Sequence, residues 1–224
     1  MDGNQTSDEE IKMISHKHKC LFLHIPKSAG TSIENFLRDI DPAIPLKVLR
    51  KRGFSRFLND HLDYYVFSIV RNPYDRLVSA WKWGEFKLRN EPSCLYYQKS
   101  RKVYFEEYVR LLVDKDYRLF NSSCWSEYDE YHTLPQFEFF PHLNGGHYFT
   151  DKINPSFSCD FIGRFETLKE DFEKICSDLF IEKPELPHAY DSKTFESEAS
   201  WSVDLKEKVY SYYKKDFEFF GYES

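Results

Sequence analysis

One stretch constrains the chain more than any other. Cys20 to Ile25 (CLFLHI) is an apolar run that stops at Pro26; Lys27-Ser28-Ala29-Gly30-Thr31-Ser32 follows; then Ile33, Phe36, Leu37 and Ile40 recur at i, i+3, i+4 and i+7. The run has the length and composition of a buried strand, and the stripe predicts an amphipathic helix from Thr31, with Thr31-x-x-Glu34 in the pattern of a capping box. A strand, a small-residue loop and a helix form the first half of a unit whose next strand runs parallel by a right-handed crossover. The chain supplies that strand at Tyr64 to Val70 (YYVFSIV), then Asn72 as an N-cap, Pro73 at the first helical position, and Leu77, Val78 and Trp81 beyond. Further on, the patterns predict a helix over Phe105 to Val113 and a strand over Asp160 to Phe165. Thr167-x-x-Glu170 is a second capping box, ahead of Leu168, Phe172, Ile175, Cys176 and Leu179. A closing helix from Val203 to Phe219 carries Leu205, Val209, Tyr212 and Tyr213 on one face. Residues 84–158 are less regular, with Pro135, Pro141 and Gly145-Gly146, as in an insertion that shapes a pocket or in plain surface loops. The expectation is an α/β fold with a mainly parallel sheet flanked by helices, in one domain over residues 18–224 after a polar tail at 1–17.

The 224 residues suit one ordinary domain, or two small ones at most, and 18% aromatic residues exclude disorder for most of the length. No apolar run reaches the ~18 residues of a membrane span, and MDGNQTSDEE is acidic where a signal peptide is basic. Five cysteines (Cys20, Cys94, Cys124, Cys159, Cys176) without CxxC spacing suggest neither a zinc site nor a disulfide framework, so a cytoplasmic chain with reduced thiols is expected. Net charge is −6, yet residues 166–224 hold 15 acids against 8 bases while residues 1–165 hold 23 bases and 22 acids. Lys47, Arg50, Lys51, Arg52 and Arg56 form a local basic cluster, either an attractor for an anion or a solvated helix face. No nucleic-acid partner is expected.

Two motifs carry chemistry. The loop Pro26 to Ser32 places one Lys and small residues at a helix start, where successive N–H groups and the positive helix end favour phosphate or sulfate. Lys27 precedes Gly30, the reverse of the order in G-x-x-x-x-G-K-[ST], which disfavours a nucleotide triphosphatase or kinase. Arg71-Asn-Pro-Tyr-Asp-Arg76-Leu-Val-Ser79 again joins a strand end to a helix start, where α/β folds bind ligands, and an oxyanion held there would meet Arg71 and Ser79. Arg76 either joins them or pairs with an acid.

In this order and separation, IPKSAGTS and RNPYDRLVS resemble the two signature motifs of the sulfotransferase superfamily, closest to the bacterial and carbohydrate O-sulfotransferase branch. DFIGRFETLKEDFEKIC (Asp160 to Cys176) and KKDFEFFGY (Lys214 to Tyr222) resemble its C-terminal segments. The resemblance implies a P-loop-like three-layer fold and transfer of a sulfuryl group from 3′-phosphoadenosine 5′-phosphosulfate (PAPS) to an acceptor hydroxyl, a glycan among the candidates, without a required metal. Lys27 would then stabilise the leaving group, Ser28, Ala29, Gly30, Thr31 and Ser32 would cradle the 5′-phosphate, and Arg71 and Ser79 would bind the 3′-phosphate. The alternatives are a P-loop kinase and a catalytically inactive nucleotide-binding relative. The acceptor needs a general base, for which His132, in an H-x-x-P-Q segment, and His61 are the candidates; His24, at a strand end, fits a packed or hydrogen-bonded role better. The resemblance implies that relatives acting on glycans in a secretory compartment usually carry an N-terminal anchor, and with the first strand beginning by about residue 20 the expectation is a cytoplasmic enzyme, the alternative being a piece of a longer, anchored one. Trp81, Trp83, Tyr96, Tyr97, Tyr104, Trp125 and Tyr128 either fill the core or stack on a ring.

Overall fold

The computed structural model describes residues 14–42, 61–90, 104–121, 127–140, 158–182, 186–187 and 199–224. The basic cluster at Lys47 to Arg56, Pro141, Gly145-Gly146, Tyr96, Tyr97 and Trp125, and the side chain of Tyr128, lie outside them. The chain divides into two compact units: one of residues up to Ile25, Ala29–Val70 and Gln136–Ala189, the other of Pro26–Ser28, Arg71–Pro135 and Tyr190–Ser224.

The first unit holds the sheet, with strands β1 (Ile14–Ser15), β2 (Cys20–Leu23), β3 (Tyr65–Val70) and β4 (Phe161–Arg164) side by side in that order. β1, inside the stretch read as a tail, pairs antiparallel with β2. The β2–β3 and β3–β4 pairs are parallel, with Phe22 opposite Phe67 and Ile69 opposite Gly163. The two inner strands are buried nearly throughout, which is why they read as continuous apolar runs and not as alternation. Cys20, Phe22, Phe67 and Ile69 pack with Ile33, Phe36 and Leu37 of α1 (Gly30–Ile40) and with Phe172, Ile175 and Cys176 of α6 (Leu168–Asp178). Gly163 lets β4 approach, because a Cβ there would stand 2.7 Å from Ile69 Cδ1 and 3.0 Å from Asp171 Cβ. Two 3-10 turns, at Gln136–Phe139 and Phe165–Thr167, complete the unit's described elements.

The second unit is helical: α2 (Pro73–Asn90), α3 (Phe105–Val113), α4 (Lys115–Phe120), α5 (Glu127–Thr133), α7 (Val203–Tyr212) and α8 (Lys214–Phe220). Asn72 Oδ1 accepts the Tyr74 N–H at 2.9 Å and Pro73 opens α2, as its sequence predicts. Leu77 and Trp81 of α2, Phe105, Val109 and Leu112 of α3, and Leu205, Val209, Tyr213 and Phe217 form the core. Trp201 joins it edge-on, 4.8 Å from Phe105 and 5.1 Å from Tyr74, so this part of the aromatic surplus fills the interior, while Tyr104 is 83% exposed.

Three expectations are corrected. Thr31-x-x-Glu34 is no capping box: α1 starts at Gly30 behind a left-handed Ala29, which gives no side-chain cap, and Glu34 is hydrogen-bonded elsewhere. Thr167 likewise makes no cap bond to α6; its hydroxyl donates to Asp171 Oδ2 at 2.8 Å, and the same oxygen accepts the Arg164 N–H at 2.7 Å. The closing helix is two helices. Tyr213 lies between them, fully buried with its hydroxyl donated to Thr133 O at 2.6 Å, and Tyr212 is left at the surface.

Candidate active site

In the first unit, the carboxyl end of β2 leads through His24 to α1. Ala29, the first unit's residue ahead of α1, sits at φ 63, and Lys27, in the second unit, at φ 69, both left-handed without glycine's freedom. Such strain persists where the surroundings enforce it, and left-handed residues in a turn build anion-binding concavities from backbone N–H groups. The first turn of α1 contains no acid and no side-chain cap, so neither neutralises its N-terminal N–H groups. Thr31 is exposed there and Ser32 half-buried. Gly30 is required by a neighbour: a Cβ on it would stand 2.0 Å from His24 Nε2. The His24 imidazole stacks on Phe22 and is bonded through Nδ1 to Glu34 Oε1 at 2.8 Å, with Arg38 3.9 Å from the other carboxylate oxygen. His24 is thus a packed, hydrogen-bonded residue, as its strand-end position suggests.

In the second unit, Ser28 is wholly buried and its hydroxyl has no hydrogen-bond partner among the described residues. A buried hydroxyl left so costs on the order of 1–3 kcal/mol, which a ligand oxygen would recover. Arg71 Nη1 donates to Lys27 O at 3.3 Å. The Lys27 ammonium lies 4.2 Å above the Trp83 ring, and Trp83 stacks on Phe86. Arg76 is 1% exposed and donates to Pro26 O and His132 O, each at 3.3 Å, and to Leu134 O. Among the described residues it pairs with carbonyls and not with an acid. Arg76, half-buried Ser79 and Trp83 recur at i, i+3 and i+7 on α2, so Ser79 lies on the stripe that meets Pro26 at one end and Lys27 at the other.

The structure therefore brings Lys27, Arg71 and the backbone of His132 together within the second unit. His132 is half-buried at the end of α5, its ring edge-on to Tyr131. His61 lies away from the carboxyl end of the sheet. It precedes β3, and six strand residues, roughly 20 Å, separate it from the carboxyl end at Val70; it packs instead against Tyr64 and His16 at the amino end. Ligands in parallel sheets gather at the other end.

The profile of the sulfotransferase family matches residues 12–223. The chain belongs to the sulfotransferase family. Carbohydrate sulfotransferase 10 of Xenopus laevis is 25% identical to it over 94% of this chain and 66% of the relative's length. Carbohydrate sulfotransferase 10 of Pongo abelii is 24% identical over 98% and 73%, and carbohydrate sulfotransferase 12 of Xenopus laevis is 28% identical over 71% and 40%. No solved structure matches the chain. For a sulfotransferase-family member the described fold is the α/β, P-loop-like one, with a mostly parallel sheet flanked by helices. Among the described residues no three His, Cys, Asp or Glu side chains group to hold a metal, and no helix is long and apolar enough to cross a membrane.

The sequence pointed to Lys27, Ser28, Arg71 and His132 but missed Trp83 as the partner of Lys27 and Glu34 as the partner of His24. Spacing alone marks Trp83, one helical turn beyond Ser79.

Proposed function

We propose that this chain transfers a sulfuryl group from PAPS to a hydroxyl of a carbohydrate acceptor by in-line displacement. The single observation that carries the reading is the buried Ser28 hydroxyl, without a partner among the described residues, in the segment whose Lys27 carbonyl accepts from Arg71. That donor set fits a tetrahedral oxyanion. PAPS supplies the activated sulfuryl group and an adenosine bisphosphate leaving group. Ser28 to Ser32 bind its 5′-phosphate, and Arg71 and Ser79 its 3′-phosphate. Lys27 neutralises the negative charge that grows on the departing phosphate oxygen. His132 accepts the acceptor's hydroxyl proton on an imidazole nitrogen. Position and charge do the rest, as in phosphoryl transfer. The carbohydrate acceptor is supported by the names of the relatives.

Thermal denaturation with adenosine 3′,5′-bisphosphate tests the nucleotide site: at 100 times Kd the ligand is expected to stabilise the fold by about 2.7 kcal/mol. Lys27→Ala should lose roughly 10²- to 10³-fold in label transfer from sulfur-35 PAPS to desulfated glycans at saturating PAPS, with bisphosphate stabilisation reduced but still measurable. Stabilisation by Mg-ATP and none by the bisphosphate would overturn the reading in favour of a kinase.

A further inference from the structure

Helix α5 ends on His132 and Thr133 with Leu134 as its cap, and the carbonyls of these three are among the last four that any helix leaves without an internal partner. All three are capped from elsewhere in the same unit. Arg76 Nη1 donates to His132 O, Arg76 Nη2 to Leu134 O, and the Tyr213 hydroxyl to Thr133 O between them. The guanidinium carbon lies 5.7 Å from the centre of the Tyr213 ring, and a cation at a helix C-terminus is favoured by the helix dipole. The nitrogen that holds His132 O also donates to Pro26 O, the carbonyl that immediately precedes Lys27. One atom of a wholly buried side chain thus joins the phosphate loop to the segment bearing the histidine, across 106 positions of sequence between Pro26 and His132.

We propose that Arg76 is a positioning residue that fixes Lys27 and His132 relative to each other through these carbonyls, and that loading the nucleotide loop is felt at His132 through it. This rests on the sulfotransferase reading of Lys27 and His132. It separates Arg76 from Arg71 and Ser79: although it stands in the same nine-residue motif, its donors face main-chain oxygens and not the phosphate. Lysine cannot replace it, because the three carbonyls need the planar fork of donors and an ammonium offers one point.

The test is nuclear magnetic resonance on the full chain with ¹³C-labelled histidine rings, the His132 signal being assigned from its loss in His132→Gln. Saturating adenosine 3′,5′-bisphosphate should shift the His132 signal of the wild type. Arg76→Lys should bind the bisphosphate within about tenfold of wild type, since Ser28, Arg71 and the α1 terminus are intact, yet lose that shift and, for a misplacement near 1 Å, about 100-fold in kcat. Tyr213→Phe, which removes the bond to Thr133 O and leaves both Arg76 bonds, should keep the shift. Bisphosphate binding with an unmoved His132 signal in the wild type would overturn the proposal alone, whether or not Arg76→Lys folds. So would a full shift in Arg76→Lys. No binding by the wild type would overturn the functional reading, and this proposal with it.

Discussion

At Gly30 the need for glycine comes from a side chain and not from the backbone. The imidazole of His24 occupies the space a Cβ would take, and it is held there by Glu34 and by the Phe22 ring. Gly30→Ala must therefore push the ring off Glu34 or displace α1, a small-to-large change worth about 1–3 kcal/mol. If the ring is the whole obstacle, the cost should largely disappear when the same change is made in a His24→Ala background. Urea unfolding of the two single variants and the double variant measures it, and equal costs in both backgrounds would place the strain elsewhere. The sequence made Gly30 visible as a loop residue because small residues before a helix are a local signal. It did not reveal the His24–Glu34 bond, which joins residues ten apart across a turn, and a Glu three residues after a Thr looks the same whether it caps a helix or holds a histidine. The partners of Arg76 were hidden for a related reason: main-chain carbonyls carry no residue type, so nothing in the letters marks Pro26, His132 and Leu134 as its acceptors.

Elements whose signals are local came through the sequence with their ends nearly intact. α3 spans Phe105–Val113 as its periodicity predicts, and the Asn72-Pro73 start of α2 rests on a bond two residues long. The single closing helix failed because Tyr213 is taken by Thr133 O, 80 positions away, and periodicity has no access to that bond. At the β4–α6 junction the stop signal is Asp171, one turn inside the helix. Its Oδ2 accepts from the Arg164 N–H, at the last residue of β4, and from the Thr167 hydroxyl. Asp171→Ala removes the acceptor for both and is expected to destabilise the chain by about 1–2 kcal/mol, the range of a lost helix cap. Thr167→Val removes only the hydroxyl bond, so it should cost less. Chemical denaturation that ranks the two variants the other way would show that the Arg164 N–H bond contributes little.

Across the whole molecule, the sheet and its covering helices were legible from the apolar runs. The net charge of −6 does not describe the local field, because the acid excess falls after residue 165 while Lys27 and Arg71 stand in the near-neutral part. Burial of the sheet has a further consequence through its thiols. Cys20 and Cys176 lie in the core beside β2 and β3, Cys159 is half-buried just before β4, and all three are free. Desolvation pushes each of them up to about 12. In the unfolded chain a thiol titrates near 8.5, so between about pH 9 and pH 12 the unfolded state binds fewer protons than the native one, and stability falls as pH rises. The contribution is fully present below pH 8 and is lost through the folded value, at about 1.4 kcal/mol per pH unit for each thiol that remains buried. Tyr65 acts in the same direction from a higher starting point: burial and then its bond to Asp178 raise it, so its share is lost only above pH 10. Urea midpoints measured from pH 8 to pH 11 should therefore decline, and Cys176→Ala should flatten the slope by about one thiol's share while lowering stability at pH 7 through the lost packing against Cys20 and Phe172. An unchanged slope in Cys176→Ala would show that this thiol is already ionised, or already reached by water, in the native protein.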